Sequence, residues 1–389
     1  MLRPGTHHRG GFVTTLDAAT LRLLERLRPE SLPPETGDVP VVAPRRIEEA
    51  AEVLAFAGDR GIVVGFIGGA SRFDLGGRLE PDVWLSTSAM NRIVDHQVED
   101  LTLVVQAGAS VADVEALLAD HGQSAILPEA PGSATVGGVV ATGASGYRRL
   151  RYGPTRDRVL EVVLATGYGK VVRAGGRVVK NVTGYDLSRL AVGSMGALGL
   201  IGEVCLKLWP IPRGAATVRI DDPEGALAET YRPLAVLETE GGAAVYLTGT
   251  PEQVAAQSDE LGGVAEPGHR WPDPIDTAMR FSVRVAPRHL AGAVRMILTA
   301  FPEAPLRAQH GVGELTFGLE TCDPEDVVAV RHWAEGHGGA MVVLAAPPGS
   351  LPGVDPWGTP PVAHGLQVRV KEAFDPHRIC NPGKLPGGL

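Results

Sequence analysis

Four glycines spaced by three, at 193, 196, 199 and 202, constrain the stretch KNVTGYDLSRLAVGSMGALGLIGEVCLKL (residues 180–208) more than any other feature. Each glycine inside a helix costs about 1 kcal/mol relative to alanine, so this run cannot be one long helix. It opens with Tyr185, Leu187, Leu190 and Ala191 near helical spacing and closes on the apolar strand run Glu203 to Leu208. Two other glycine-rich segments precede it: GFIGGASRFDLGG (65–77) and PEAPGSATVGGVVATGASGYRRLRYG (128–153). In the first, small residues at 68–70 let backbone approach a ligand, and successive N–H groups form an anion nest. Ser71 adds a hydroxyl and Arg72 a positive charge, which suits a diphosphate. The pattern is not GxGxxG opening a helix, so a Rossmann site is disfavoured. In the second, Ser133, Thr135 and Thr142 place hydroxyl donors beside small residues, suiting a flat ligand. The third offers backbone donors and acceptors that can read a nucleobase edge. Each loop alone is as well explained as a packing turn. Three in one N-terminal half are hard to dismiss as turns.

The rest of the sequence supplies the frame. The strand VPVVAP (39–44), helix IEEAAEVLAFAGDRG (47–61) and strand IVVGFI (62–67) predict a crossover unit with parallel strands. LTLVVQAG (101–108) is a further strand, and SVADVEALLADHG (110–122) a helix with Ser110 and Asp113 as a capping pair. LDAATLRLLERLRP (16–29) reads as an amphipathic helix capped by Asp17, joined by the linker PESLPPETGD. Prolines near WPIPRGAAT (209–217) mark a break. Beyond it, ATVRI, AAVYLTG, MRFSVRVAP, ELTFGLE and AMVVLAA alternate with helical stretches as a separate α+β domain, closed by PPGSLPGVDPWGTPP (347–361).

Composition excludes several function classes. A net charge of -9 argues against nucleic acid as the main partner. The 31 Arg against five Lys read as a composition bias. No stretch of about 18 apolar residues exists, so no membrane span is expected. MLRPGTHHRGGFVTTL lacks the apolar core of a secretory signal. Cys205, Cys322 and Cys380 are too scattered for a cluster or zinc set from this chain alone, so any electron chemistry needs an organic cofactor.

The order IGGASR, PGSATVGGVVATG, RYG, KNVTGYDLSRLAVGSMGALGLIGEVCLKL, FDPHRICNPGKL resembles the FAD-binding domain of the vanillyl-alcohol oxidase superfamily. It is most similar to the FAD-binding (E) subunit family of bacterial glycolate oxidase, over 39–215 and, in pattern, 366–385. The resemblance implies an α+β protein. An N-terminal helix and linker (1–38) would precede a two-subdomain FAD-binding fold of the vanillyl-alcohol oxidase type (39–215). A small α+β cap domain (216–361) and a C-terminal segment returning to the FAD domain (362–389) would complete it. By the same resemblance Gly68, Gly69, Ala70, Ser71 and Arg72 would hold the pyrophosphate. Ser133, Thr135, Gly137, Gly138, Thr142 and Gly143 would line the isoalloxazine and adjoining phosphates. Gly196, Leu198, Gly199 and Ile201 would meet the adenine–ribose end, and Asn381 would sit in an Asn-Pro-Gly turn facing the flavin.

Departures from the family pattern carry their own expectations. Ile67 and Ala70 replace residues of the usual Arg-Gly-Gly-Gly-Ser/Thr loop, and Met195 stands at a Glu position. Covalent relatives carry a His where Ala70 sits, or a Cys in the second loop; without either, non-covalent FAD is expected. The stretch AQHGVGELTFGLE (308–320) resembles a His-x-Gly-x-Gly-x-x-His element through His310, Gly311 and Gly313, with Thr316 at the second His. His310 is thus the one catalytic candidate, against a surface or capping role, and a lone His makes no metal site. His364 and His377, in linker and tail sequence, are weaker candidates. Arg148, Arg149 and Arg151 are open between binding a substrate carboxylate, the flavin phosphates or a partner's acidic surface, and forming a solvated face.

The implied function is the FAD-binding subunit of a glycolate (2-hydroxy acid) oxidase or dehydrogenase complex. Its partners would be a sister FAD-binding catalytic subunit and an iron–sulfur subunit. The implied location is cytoplasmic, peripheral to the inner membrane through those partners. The alternatives are a self-sufficient FAD-linked 2-hydroxy acid dehydrogenase and a non-catalytic assembly scaffold.

Overall fold

The computed structural model describes residue 27 and residues 33–177 and 186–389. The expected helix at 16–29, apart from Leu27, lies outside the described residues, as do Lys180, Gly184 and Tyr185.

The N-terminal half is built on two sheets. β1 (Val41–Val42), β2 (Val64–Ile67) and β3 (Val83–Ser86) form a parallel sheet with β3 in the middle. The helix α1 (Ile47–Arg60) connects β1 to β2, burying Ile47, Ala50, Ala51, Val53, Leu54 and Ala57 along one side. It stops at Gly61, whose left-handed backbone ends the helix. This is the crossover unit the sequence predicts, with β3 placed between its two strands.

The second sheet is antiparallel. β4 (Ile93–Gln97) and β5 (Thr102–Gln106) precede the helix α2 (Val111–Asp120), where the Asp113 N–H donates to the Ser110 hydroxyl at 3.4 Å. A short β6 (Gln123–Ser124) leads to α3 (Val136–Thr142) and α4 (Arg149–Tyr152). The second glycine-rich segment is therefore partly helical. Val136, Val139 and Val140 are buried at helical spacing, and that burial outweighs the cost of Gly137 and Gly138. β7 (Val159–Ala165), β8 (Val171–Gly175), α5 (Leu187–Ala191), β9 (Leu200–Lys207) and β10 (Trp209–Pro210) follow. The strand order is β4-β5-β9-β7-β8, with β10 pairing β6 separately. At α5 the Asp186 carboxylate accepts from the Arg189 N–H at 3.1 Å, capping the helix that starts at Leu187.

The C-terminal half is one antiparallel sheet with four helices. Its strands are β11 (Gly214–Ile220), β12 (Ala235–Thr239), β13 (Gly242–Gly249), β14 (Ala265–Pro267), β15 (Met279–Arg284), β16 (Leu306–Gln309), β17 (Glu314–Leu319) and β18 (Ala340–Ala345). They run in the order β14-β11-β13-β12-β16-β17-β15-β18. The helices are α6 (Pro223–Glu229), α7 (Pro251–Leu261), α8 (Leu290–Ala300) and α9 (Pro324–Gly336). Side chains alternate across a strand with period two. Phe281, Val283, Leu306, Ala308, Leu315 and Phe317 are fully buried in one cluster with residues of α8 and α9. Their neighbours Arg280, Ser282, Arg284, Arg307, Gln309, Glu314 and Thr316 therefore share the opposite face, which turns toward the N-terminal half. Tyr147 of that half stacks on Trp271 at 5.6 Å, and Trp271 on Tyr246 of β13 at 4.3 Å.

The helix α10 (His364–Phe374) carries the chain back. The buried Lys371 Nζ donates to the carbonyl oxygens of Ala197 and Cys380 at 2.8 and 2.6 Å and to Asp375 Oδ2 at 2.7 Å. Asp375 in turn accepts from the N–H groups of Ile379 and Cys380 at 3.1 and 2.8 Å. A buried ion pair is tolerable only when its remaining hydrogen-bonding capacity is met in this way. Cys380 bridges Val64 of β2, so the C-terminal turn is fixed to the strand that feeds the first glycine loop. Among the described residues no helix is long and apolar enough to cross a membrane, and no group of three or more His, Cys, Asp or Glu could hold a metal.

Candidate functional site

The three glycine-rich segments and the C-terminal turn meet around one cleft that opens to solvent. Its lining includes Gly68, Gly69, Ala70, Ser71 and Arg72 from the first, and Thr135, Gly137, Gly138 and Thr142 from the second. Gly196, Gly199 and Ile201 come from the third, and Asn381 from the turn. Three of the sequence-derived residues lie outside that lining. Ser133 is exposed, Gly143 is the left-handed cap of α3 with φ 67°, and Leu198 is buried at 6% exposure.

The glycines matter through how closely the segments approach each other. A Cβ at Gly69 would lie 1.4 Å from the Ser133 carbonyl oxygen, so the first and second segments touch backbone to backbone there. Ser133 thus shapes the cleft through its main chain, from outside the lining. A Cβ at Gly77 would lie 2.0 Å from the Gly383 carbonyl oxygen, which docks the end of the first loop on the C-terminal turn.

Asn381 ties the remaining walls together. Its Oδ1 accepts from the Phe66 N–H at 2.8 Å, and its Nδ2 donates to the Met195 carbonyl at 2.7 Å. Ala70, Met195 and Asn381 all line the cleft with left-handed backbone, at φ 54°, 53° and 43°. Non-glycine residues there are uncommon, and such strain clusters at ligand-binding positions. Ala70 takes this conformation at the position where the sequence departs from glycine.

The hydroxyls differ in what they can offer. Thr135 Oγ1 accepts from the Gly138 N–H at 3.2 Å, leaving its own hydrogen free to donate. Thr142 spends its hydrogen on the Gly138 carbonyl at 2.8 Å and presents only an acceptor, not the donor expected from sequence. Thr87 Oγ1 lines the cleft, is buried and has no hydrogen-bond partner. A buried unpartnered hydroxyl is costly, and a bound polar ligand would satisfy it. Sequence reasoning missed Thr87; the polar Ser86-Thr87-Ser88 run directly after a buried strand was its only signal.

Two cations serve the cleft. Lys384 Nζ donates to the carbonyls of Phe73 and Leu75 at 2.9 and 3.0 Å, and desolvation holds its ammonium below the ordinary lysine value. Arg72 is accessible to solvent yet surrounded by protein within the cleft. Desolvation first, then the charges of Arg280 and Arg284, lower its pKa against the opposing pull of Glu314. Among the described lining residues there is no carboxylate and no imidazole. Backbone, hydroxyls and two cations fit a diphosphate-bearing cofactor.

The structure does not bring His310 to this lining. Its N–H donates to the Val236 carbonyl, and its Nε2 lies 2.8 Å from Glu238 Oε2. Glu238 pairs with Ala308 and follows Val236 by two residues, both of which pack into helix-covered clusters. The imidazole–carboxylate pair is thus on the far side of the sheet from Arg280 and Ser282. The arginine trio is engaged within the protein. Arg148 bonds Glu129 at 3.0 Å and the Leu127 carbonyl, Arg149 reaches Glu314 at 3.2 Å, and Arg151 bonds the Arg232 carbonyl.

Comparison with known proteins gives the same picture. Residues 40–175 match the family model described as FAD binding domain. The glycolate oxidase subunit GlcE of Escherichia coli is 31% identical over 312 residues, 75% of this chain and 84% of that protein. Glycolate oxidase subunit GlcD of Bacillus subtilis is 36% identical over 185 residues, but the match covers only 46% of this chain and 38% of that one. A D-lactate dehydrogenase of Archaeoglobus fulgidus is 34% identical over 187 residues, 47% of this chain and 41% of its own. Among solved structures, an alkyldihydroxyacetonephosphate synthase superposes with a TM-score of 0.63 at 17% identity, covering 88% of this chain and 76% of that one. That likeness speaks for the fold alone. With its glycine cleft, its α+β architecture and a match to GlcE over most of both chains, the chain belongs to the glycolate oxidase GlcE subunit family of FAD-dependent oxidoreductases with the vanillyl-alcohol oxidase-type fold.

Proposed function

We propose that this chain is the FAD-carrying subunit of a glycolate oxidase-type complex. It holds FAD non-covalently and works with a sister FAD-binding subunit, where the principal oxidation of a small 2-hydroxy acid occurs, and an iron–sulfur subunit. Any membrane attachment is through those partners, on the cytoplasmic side. The observation that carries this reading is the cleft lining itself, which offers binding groups and, among the described residues, no general base. Oxidising a hydroxy acid requires a group within about 3 Å that takes the hydroxyl proton.

Bound FAD supplies a two-electron acceptor that can pass electrons onward. The protein's part is to bind and orient it. Arg72 and Lys384 would balance its diphosphate charge, the Thr87 and Thr135 hydroxyls would serve as its donors, and Asn381 keeps the walls in register. Ala70 offers no nucleophile, and the second segment contains no cysteine, which supports a non-covalent cofactor. Glu314, on the cap face near Arg72, is a poor base. Burial raises its pKa, but Arg284 and Arg149 outweigh that and hold it below the usual value.

A second reading, a self-sufficient dehydrogenase, is favoured by one observation: the arginine-bearing sheet face next to Arg72. Acid precipitation of the purified yellow protein tests the cofactor. Free FAD in the supernatant is expected; flavin in the protein pellet, or FMN alone, would contradict the reading.

A further inference from the structure

Arg158 is a buried cation that bonds no carboxylate. It follows the short 3-10 turn Thr155–Asp157, immediately precedes β7, and is 2% exposed. Its neighbours Arg148 and Arg156 pair with Glu129 and Asp157, whereas Arg158 has no ion pair among the described residues. Its Nη1 donates to the Ile126 carbonyl, and its Nη2 donates to Thr155 Oγ1 at 2.8 Å and to the Ser145 carbonyl at 3.4 Å. Its Nε is buried without a partner. Desolvation brings its pKa down to about 10, so it is charged at neutral pH. A buried charge without a counter-ion is costly, so what its donors hold in place matters.

The two carbonyls bracket the part of the second glycine-rich segment that lines the cleft. Ile126 lies just before it with φ 56°, a left-handed backbone that a β-branched residue takes only when its surroundings enforce it. Ser145 lies just after α3. Thr155, 1% exposed, extends the grip there. Its hydroxyl accepts from Arg158 and donates to the Ala144 carbonyl, and its N–H donates to Ser145 Oγ at 3.1 Å. Ser145 Oγ in turn donates to the carbonyl of Gly143, the left-handed cap of α3, at 3.2 Å. The start of α3 is fixed separately, by the Val136 and Gly137 N–H groups on the Ala109 and Ala107 carbonyls at 2.9 and 2.7 Å. Its end depends on the Met195 N–H, which donates to the Ala141 carbonyl at 2.8 Å, and on this web. A planar guanidinium with spread donors can hold both ends of such a loop at once.

We propose that Arg158 is a positioning residue of the cofactor site. From outside the cleft lining it closes residues 126–145 into one fixed loop, and so sets Thr135, Gly138 and Thr142 as a wall of the cleft. This rests on the reading that FAD fills that cleft. A residue that only stabilises the fold lowers the melting temperature and leaves bound flavin unchanged below it. A positioning residue changes the surroundings of the flavin while the protein is still folded, so the two roles are separable.

Full-length Arg158→Met, Arg158→Lys and Thr155→Val proteins are reconstituted with FAD well below their melting temperatures, with folding checked by far-ultraviolet circular dichroism. Two quantities are read: the FAD dissociation constant, and the visible circular dichroism of the flavin at saturation. Arg158→Met is expected to weaken FAD about 10- to 100-fold, as for losing charged hydrogen bonds, and to alter the flavin bands. Arg158→Lys keeps the charge and a donor and should recover part of both. Thr155→Val keeps the shape but breaks the bond to Ala144. It should weaken FAD about 2- to 10-fold, as for one neutral hydrogen bond, with a smaller spectral change in the same sense. If Arg158→Met does not fold, Thr155→Val decides. Wild-type affinity and wild-type flavin bands in folded Arg158→Met, or in Thr155→Val, would overturn the role, even with a lowered melting temperature. A wild-type chain that never binds FAD would instead sink the proposed function.

Discussion

Replacing Asn381 by Ala removes a side chain that joins the strand before the first glycine loop to the third segment by hydrogen bonds. Phe66 N–H and the Met195 carbonyl each lose their partner, at 2.8 and 2.7 Å in the native protein. An unsatisfied polar group out of water costs about 1–3 kcal/mol, so the two together cost about 2–6 kcal/mol. Asn381 also sits at φ 43°, a conformation asparagine tolerates better than alanine, which adds to the loss. Part of this appears as lower stability and part as weaker cofactor binding, because FAD must then hold the walls together. If about 2 kcal/mol falls on binding, the FAD dissociation constant rises about 30-fold. Asn381→Asp keeps the acceptor for Phe66 but sets a carboxylate oxygen against the Met195 carbonyl, so it should be no better than alanine. Thermal melts and reconstitution of apoprotein with FAD, followed by flavin fluorescence, measure both effects. Wild-type melting temperature and wild-type FAD affinity in both variants would refute the reasoning.

Gly69→Val is expected to abolish flavin binding and lower the melting temperature, since its Cβ would fall 1.4 Å from the Ser133 carbonyl oxygen. A fully loaded Val variant would contradict the backbone contact. Ser71→Ala should weaken FAD by about 1.5–3 kcal/mol in the same assay, as for one hydrogen bond to a charged group; no change would remove Ser71 from the site. Glu314 is held below its ordinary 4.5, so its contribution to stability is present above that pH and lost as pH falls through the depressed value. Glu314→Gln should therefore show a shallower fall in melting temperature from pH 5 to pH 3 than wild type. Parallel profiles would contradict it.

Much of the candidate cleft's lining was legible because glycine and hydroxyl residues in three segments leave a compositional mark. The parallel crossover was legible for the same kind of reason, since an apolar strand, a helix and a second strand have distinct periods. What each glycine does was not legible. Gly69 reads as room for a diphosphate, whereas its Cβ vector points into the Ser133 backbone, and only the packed structure fixes that direction. The helical run at Val136–Thr142 was hidden because tertiary burial of three valines overrides two glycines. His310 stood out by spacing, but strand register decides which face a residue takes, and β12 sets that register from far away in sequence. The arginine-bearing face was invisible for the same reason, since Arg72 lies some two hundred residues from Arg280 and Arg284.

Dye reduction by the isolated chain and by the reconstituted complex tests the central claim most directly. The isolated chain should contain FAD yet reduce an artificial acceptor negligibly with glycolate. Activity should appear once the sister flavoprotein and iron–sulfur subunits are added, and His310→Ala should leave most of it intact. Rapid glycolate-dependent dye reduction by the isolated chain, abolished by His310→Ala, would contradict the account and establish a self-sufficient dehydrogenase.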